Sequence, residues 1–275
     1  MIEVVRAGPL TTVQDLGRPG YAHLGVPRSG ALDRPALRHA NALVGNPASA
    51  AVLETTLLGC ALRFCTAARV AVTGAPASIR VDGAAAPGAV VDVPTGSLLD
   101  VGRATAGVRS YLAVAGGIDV PPVLGSRSTD TLSGLGPPRL ANGMTLPVGR
   151  QSWAGPMPPG AQSVSGDLVL GVRLGPRDDW FVAAELFAAA YRVSPVSNRV
   201  GARLAGPALR RVKAGELPSE GVVLGAIQVP ADGQPLIFLA DHPTTGGYPV
   251  IGVVDDVTPL AQCRPGTTVR FRDLD

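Results

Sequence analysis

Arg109-Ser110-Tyr111-Leu112-Ala113-Val114, closed by Ala115-Gly116-Gly117, sets the reading of the whole chain. The run is mostly apolar, has the length of a strand rather than a helix, and ends on glycine. Runs of the same kind recur at Ile2–Val5, Arg69–Thr73, Ser78–Val81, Ala89–Val93, Leu168–Leu174, Val222–Val229, Leu236–Ala240, Val250–Val254 and Thr267–Phe271. Gly, Pro, Asp or Asn fills the gaps between them, and the 35 glycines and 26 prolines are scattered, as tight turns require. Many short strands with frequent turns predict a mainly β protein built as barrels or sandwiches. At 46% hydrophobic and 16% charged residues, disorder is excluded. Aromatics make up only 4%, so Val, Leu, Ile and Ala must supply the core.

Two segments break the strand rhythm. From Asp33 to Val44, the residues Ala36, Leu37, Ala40, Leu43 and Val44 fall at helical spacing. Asp33 is placed as N-cap, Pro35 suits the first turn, and Gly45 before Asn46-Pro47 stops the helix. From Asp179 to Tyr191, Trp180, Phe181, Ala184, Phe187 and Ala188 form a second amphipathic face. Each half of the chain thus pairs several strands with about one helix. The expected organisation is an N-terminal half over 1–150, a Gly/Pro/Ser-rich crossover over 151–166, and a C-terminal half over 167–275.

The absences narrow the chemistry. Lys213 is the only lysine and is followed by Ala214, so there is no P-loop, and Val-Lys-Ala does not suit a biotin carrier. The net charge of +3 is carried by arginines spread along the chain, with no basic block in the sequence, so nucleic acid is not expected as a partner. His23, His39 and His242 lack metal-binding spacing, and no metal site is expected. The three cysteines, Cys60, Cys65 and Cys263, form neither a disulfide framework nor a Cys-x-x-Cys pair. No signal peptide or ~20-residue apolar span is visible, so a cytoplasmic protein off the membrane is expected.

What remains are four polar, glycine-rich segments. The first runs from Thr11 through Thr12, Gln14, Asp15 and Arg18 to Ser29-Gly30, and the second is Gly125–Asp130. The third is Ser197-Asn198-Arg199 to Leu204; the fourth joins Gly225–Pro230, with Gln228, to Asp241-His242-Pro243-Thr244-Thr245-Gly246-Gly247-Tyr248-Pro249. Each has a plain structural reading: Asp15 with Arg18, or Asp241 with an arginine, as an ion pair fixing a loop, and Thr-Thr-Gly-Gly as a turn. Each also has a functional one. Arg18 and Arg199 can grip a carboxylate or phosphate in a bidentate fork, with Thr244, Thr245 and the Gly246-Gly247 backbone beside an anion.

Taken in order, these phrases resemble the allophanate hydrolase subunit 2 family, which includes a bacterial 5-oxoprolinase subunit, the one lettered C, and the carboxyltransferase region of urea carboxylase. The matching stretches are Thr11–Arg18, Gly25-Val26-Pro27 with Ser29-Gly30-Ala31 and Asp33, and Ala40-Asn41 with Leu43–Asn46. They continue through Arg109–Gly117, Gly125-Ser126 with Ser128-Thr129-Asp130, Gly225–Pro230, Thr244–Pro249, Leu260-Ala261-Gln262 and Pro265-Gly266. The sequence departs from the family at Asn198, where Asp is usual, and at His242-Pro243, where Arg-Gln is usual.

The resemblance implies two cyclophilin-like β-barrel halves, each with about one helix. It implies a subunit of an ATP-dependent 5-oxoprolinase that opens 5-oxo-L-proline to L-glutamate, an amide (lactam) hydrolase active only in a hetero-oligomeric complex. Its partners would be a smaller, allophanate hydrolase subunit 1-like chain and a third hydrolytic component. ATP with Mg would be the cofactor, and no biotin would be attached to this chain. In that reading Asp15, Arg18, Arg199 and Asp241 are catalytic, while Thr12, Gln14, Ser29, Gln228, Thr244, Thr245, Gly246, Gly247 and Tyr248 bind substrate or nucleotide. Two alternatives stay open: the carboxyltransferase subunit of a biotin-dependent urea or amide carboxylase, and a non-enzymatic regulator of a kinase inhibitor.

Overall fold

The structure is a computed structural model that describes residues 1–150 and 167–274; the expected crossover over 151–166 lies outside the described residues. The chain divides into two compact units. One holds Met1–Arg18 and the chain from Ser29 onward through residue 150; the other holds Pro19–Arg28 and residues 167–274.

In the first unit, two antiparallel sheets face each other. One, of six strands, runs from Thr145–Leu146 through Ile2–Arg6, Cys60–Phe64, Leu98–Ala104 and Ala77–Val81 to Ala84–Ala85. The other orders Thr11–Gln14, Val52–Thr56, Arg109–Val114, Ala68–Gly74 and Val90–Val93. Strand periodicity sorts the side chains. Leu112 and Val114 enter the core between the sheets with Val4, Val13, Leu53, Leu62 and Val70. Tyr111 and Ala113 point the other way, against the helix. Both faces of Arg109–Val114 are covered, which is why every residue in it is buried.

The helix spans Arg34–Leu43 and is designated α1. Asp33 Oδ1 accepts from Ala36 N at 2.9 Å, Pro35 fills the first turn, and Ala36, Leu37 and Ala40 pack on the sheet. The amphipathic spacing predicted this element nearly to the residue.

The second unit is a closed seven-stranded barrel. Around it run Leu168–Leu174, Val250–Val254, Ala226–Gln228, Leu236–Phe238, Gly201–Ala205, Ala190–Val193 and Thr268–Asp273, the last pairing in parallel with the first through Leu168↔Val269. Its helix, α2, is only Ala184–Ala188, shorter than the spacing over Asp179–Tyr191 predicts. Asp178–Trp180 is a 3₁₀ turn, and Phe181 is extended and bridged to Arg211. Tyr191 joins a barrel strand with its ring inside, 5.8 Å from that of Phe271. Strand pairing with distant residues thus takes both ends of the helical pattern. Among the described residues the protein is mainly β with one α-helix in each unit, as expected, and no helix there is long and apolar enough to cross a membrane.

Candidate functional site

In the first unit, the strand Thr11–Gln14 brings Thr12, Gln14 and Asp15 beside the loop Val123–Asp130. Asp15 organises that loop. Its Oδ1 accepts from Ser126 Oγ and Ser128 Oγ, each at 2.6 Å, and from Gly17 N at 2.8 Å; Oδ2 accepts from Arg127 N at 2.6 Å. Arg18 holds the same loop through its carbonyls, from Nε to Val123 O at 3.3 Å and from Nη2 to Ser128 O. Gly136 makes room for that contact: its φ is +85°, and a Cβ there would sit 2.1 Å from Ser128 O. The expected Asp15–Arg18 connection therefore runs through the loop each of them fixes.

Gln14 donates from Nε2 to Thr12 Oγ1 at 3.0 Å and to Thr129 O at 2.9 Å, and Ser29 Oγ donates to the same carbonyl at 3.0 Å. Ser29 holds φ at +49°, uncommon for a residue with a side chain. Beside these contacts, Gln14 Oε1, Thr129 Oγ1 and Asp130 Oδ2 are buried with no hydrogen-bond partner among the described residues. The other Asp130 oxygen accepts from Leu132 N and Ser133 N at 2.8 and 2.9 Å.

On the outer face of the same sheet, Thr12, Glu54 and Tyr111 stand opposite one another on three neighbouring strands. Tyr111 donates to Glu54 Oε2 at 2.7 Å and accepts from Asp33 N at 2.7 Å; Leu32 N reaches the same Glu54 oxygen at 3.1 Å. Arg109 lies 3.6 Å from Glu54 Oε1. Burial, with the neighbouring Glu54 and Asp33 carboxylates, drives the Tyr111 hydroxyl well above its ordinary pKa, so it stays a donor. Sequence reading missed Glu54 and the polar role of Tyr111. Their one available signal was a carboxylate and a phenol inside strand-like runs, where buried polar groups need partners.

In the second unit, Arg199 and Asp241 form a bidentate buried pair, 2.8 and 3.0 Å long. Asn198 Oδ1 accepts from Val200 N at 2.8 Å and Gly201 N at 3.2 Å, so the amide fills an acceptor role there without a carboxylate. His242 is buried against Phe238, with Nδ1 2.6 Å from Pro243 O. Gln228 Nε2 donates to Tyr248 O at 3.0 Å. Thr245–Gly246 pairs with Glu220–Gly221, and Val222 N donates to Thr244 O at 3.0 Å. Neither Gly246 nor Gly247 has positive φ; a Cβ on Gly246 would come within 2.6 Å of Gln228 Nε2. Thr245, Gly247 and Tyr248 are exposed. Arg177 braces this segment through its ion pair with Glu220, which lowers the Glu220 pKa.

The chain is a two-unit β protein carrying one buried polar cluster in its sandwich unit and another in its barrel unit, the architecture of a carboxyltransferase domain. Residues 24–273 match the family described as carboxyltransferase domain, subdomain A and B, and the chain belongs to that family. It is 41% identical to the Escherichia coli 5-oxoprolinase subunit lettered C, over 98% of this chain and 90% of that protein. It is 34% identical to urea amidolyase of Saccharomyces cerevisiae over 99% of this chain and 16% of that much longer protein. The solved structure of Kluyveromyces lactis urea carboxylase is similar with a TM-score of 0.91 and 33% identity, over 100% of this chain and 27% of that one.

Proposed function

We propose that this chain is a subunit of a cytosolic enzyme that opens the lactam of 5-oxo-L-proline to L-glutamate with hydrolysis of ATP. It acts with a smaller subunit of similar fold and a third hydrolytic component. The observation that carries the reading is the 41% identity to the E. coli 5-oxoprolinase subunit over 98% of this chain.

The first polar cluster supports it chemically. A lactam presents an N–H donor, and among the described residues the buried acceptors Gln14 Oε1 and Asp130 Oδ2 have no donor. A buried acceptor left without a donor costs about 1–3 kcal/mol, which a ligand N–H would offset. In this reading Thr12, Gln14 and Ser29 line the lactam site, and Asp15 and Arg18 act by fixing the loop that carries Thr129 and Asp130. In the barrel unit, Gln228 and the Thr244–Tyr248 segment bind ligand, held in place by the Arg199–Asp241 pair. For ATP with Mg, the fit is different. Both expected anion clamps are bound to protein groups, and no three His, Cys, Asp or Glu side chains gather to hold a metal among the described residues. These residues therefore do not fit ATP with Mg in the way the sequence expectation placed it.

The test is ATP hydrolysis and glutamate release from 5-oxoproline by this chain co-purified with its partners. Glutamate should appear only when this chain is present. Lactam-independent ATP turnover with no glutamate would sink the reading. Carboxyl transfer is the second reading, favoured by the urea carboxylase likeness; it needs a separate biotin carrier, since the only lysine, Lys213, lies in Val-Lys-Ala, a context that does not suit biotin attachment. Carboxybiotin-dependent modification of urea or an amide would establish it instead.

A further inference from the structure

The barrel wall carries an arrangement that no stretch of sequence displays. On Ala190–Val193, Gly201–Ala205 and Thr268–Asp273, burial alternates: Tyr191, Val193, Ala202, Leu204, Val269 and Phe271 point inward, and Arg192, Arg203, Arg270 and Arg272 point out. The register then lines the arginines up. Arg192 stands opposite Thr268, and Ala190 opposite Arg270, so Arg192 and Arg270 are diagonal neighbours. Arg192 also stands opposite Ala205, while Ser194 N bonds Arg203 O at 2.8 Å, which makes Arg203 the diagonal neighbour on the other side. Arg272 follows two residues along the strand from Arg270. Across the parallel pairing, exposed Arg173 comes one residue past the Val172–Asp273 pair and extends the line.

Arg203, Arg192, Arg270, Arg272 and Arg173 thus form one diagonal stripe over four adjoining strands, with a step of about 7 Å. Arg6, Arg69, Arg127, Arg177 and Arg210 elsewhere are each paired with a carboxylate. Arg192, Arg203, Arg270 and Arg272 have no ion pair among the described residues. Among the described residues, Asp167, Asp273 and Asp255, the last lying over Gly171, border the stripe, against the four guanidinium groups of Arg192, Arg203, Arg270 and Arg272.

We infer that this stripe is a docking surface for an acidic, extended segment of a partner protein, one with carboxylates at every second residue. In such a segment, side chains on one face repeat about every 6.7 Å, close to the step of the stripe. Arg203, Arg270 and Arg272 offer planar forks that match a carboxylate, Arg192 keeps one arm on Gly266 O at 3.1 Å, and Arg is the cationic residue enriched in protein interfaces. A single-stranded nucleic acid fits less well. The aromatic rings of these strands, Tyr191 and Phe271, are buried inside the barrel, so the wall offers no stacking platform, and it is convex rather than a groove.

The experiment uses the full chain and three fluorescent probes: an alternating Glu-Thr peptide, a peptide of the same composition with its Glu residues in one block, and oligo(dT). Binding is followed by anisotropy at low and moderate salt. The alternating peptide should bind most tightly and weaken as salt rises. Arg192→Ala with Arg270→Ala should weaken it at least tenfold, while Arg63→Ala with Arg103→Ala, exposed on the sandwich unit, should leave it within twofold. All four positions are exposed, and unchanged thermal melts confirm folding. Equal binding of the two peptides, tighter binding of oligo(dT), or indifference to the Arg192/Arg270 substitutions would each overturn the inference. The readout needs no enzymatic activity, so its failure is separate from any failure of the lactam-opening reading.

Discussion

Arg199 and Asp241, 42 residues apart, meet through two hydrogen bonds in the barrel unit, with side-chain exposures of 1% and 0%. Removing one member leaves a charge buried without its partner. Arg199→Met or Asp241→Leu alone should destabilise by about 3–5 kcal/mol, and the double substitution by clearly less than the sum of the two. Urea denaturation of the four proteins checks this. Additive losses would mean the pair is not coupled as its geometry indicates.

Asp15→Asn keeps the shape of the side chain but removes a charge that accepts four hydrogen bonds from Gly17, Ser126, Arg127 and Ser128. The new NH₂ would face donors. We expect a loss of about 2–3 kcal/mol and faster hydrogen exchange at Arg127 N, while exchange in the barrel strands is unchanged. Unaltered protection at Arg127 would show that the carboxylate does not hold the loop.

The Thr245–Gly246 pairing should loosen in acid. Hydrogen bonding from Arg177 depresses the Glu220 pKa, so its contribution is present above the ordinary carboxylate range and fades as pH falls through the lowered value. Amide exchange at Val222, which donates to Thr244 O, should rise there after correction for intrinsic rates. Glu220→Gln should show the faster exchange already at neutral pH and lose the acid dependence.

Cysteine labelling separates Cys60 from Cys65. Burial pushes Cys60 up to about 12, whereas Cys65 is exposed. At pH 8, Cys65 should react promptly with a maleimide, and Cys60 only on unfolding. Cys60 favours the folded state fully below about pH 8.5, and that contribution is lost as pH climbs through the folded value. Rapid labelling of a Cys65→Ser variant at Cys60 would contradict this burial.

Local physical chemistry made part of the fold legible. Arg109–Val114, Leu168–Leu174 and Val250–Val254 are strands with the bounds their apolar runs suggest. Asp33, Pro35 and Gly45 marked α1 because capping and φ preferences act within a few residues. The Asp179–Tyr191 pattern was outweighed by partners far along the chain, Arg211 for Phe181 and Val269 for Tyr191.

For the site, the sequence by itself determined which polar residues stand out among apolar strands and which family carries them in that order. Only the tertiary structure decided what each one touches. Arg18 holds carbonyls, Arg199 holds Asp241, and Asp15 holds a loop 111 to 113 residues away. Tyr111 and Glu54 became a buried polar pair through strand register, and arginines numbered from 173 to 272 became one stripe in the same way. Composition and periodicity report the preferences of neighbours along the chain. Partners, burial and surface charge patterns come from pairing between strands remote in sequence, so they exist only once the sheets have closed.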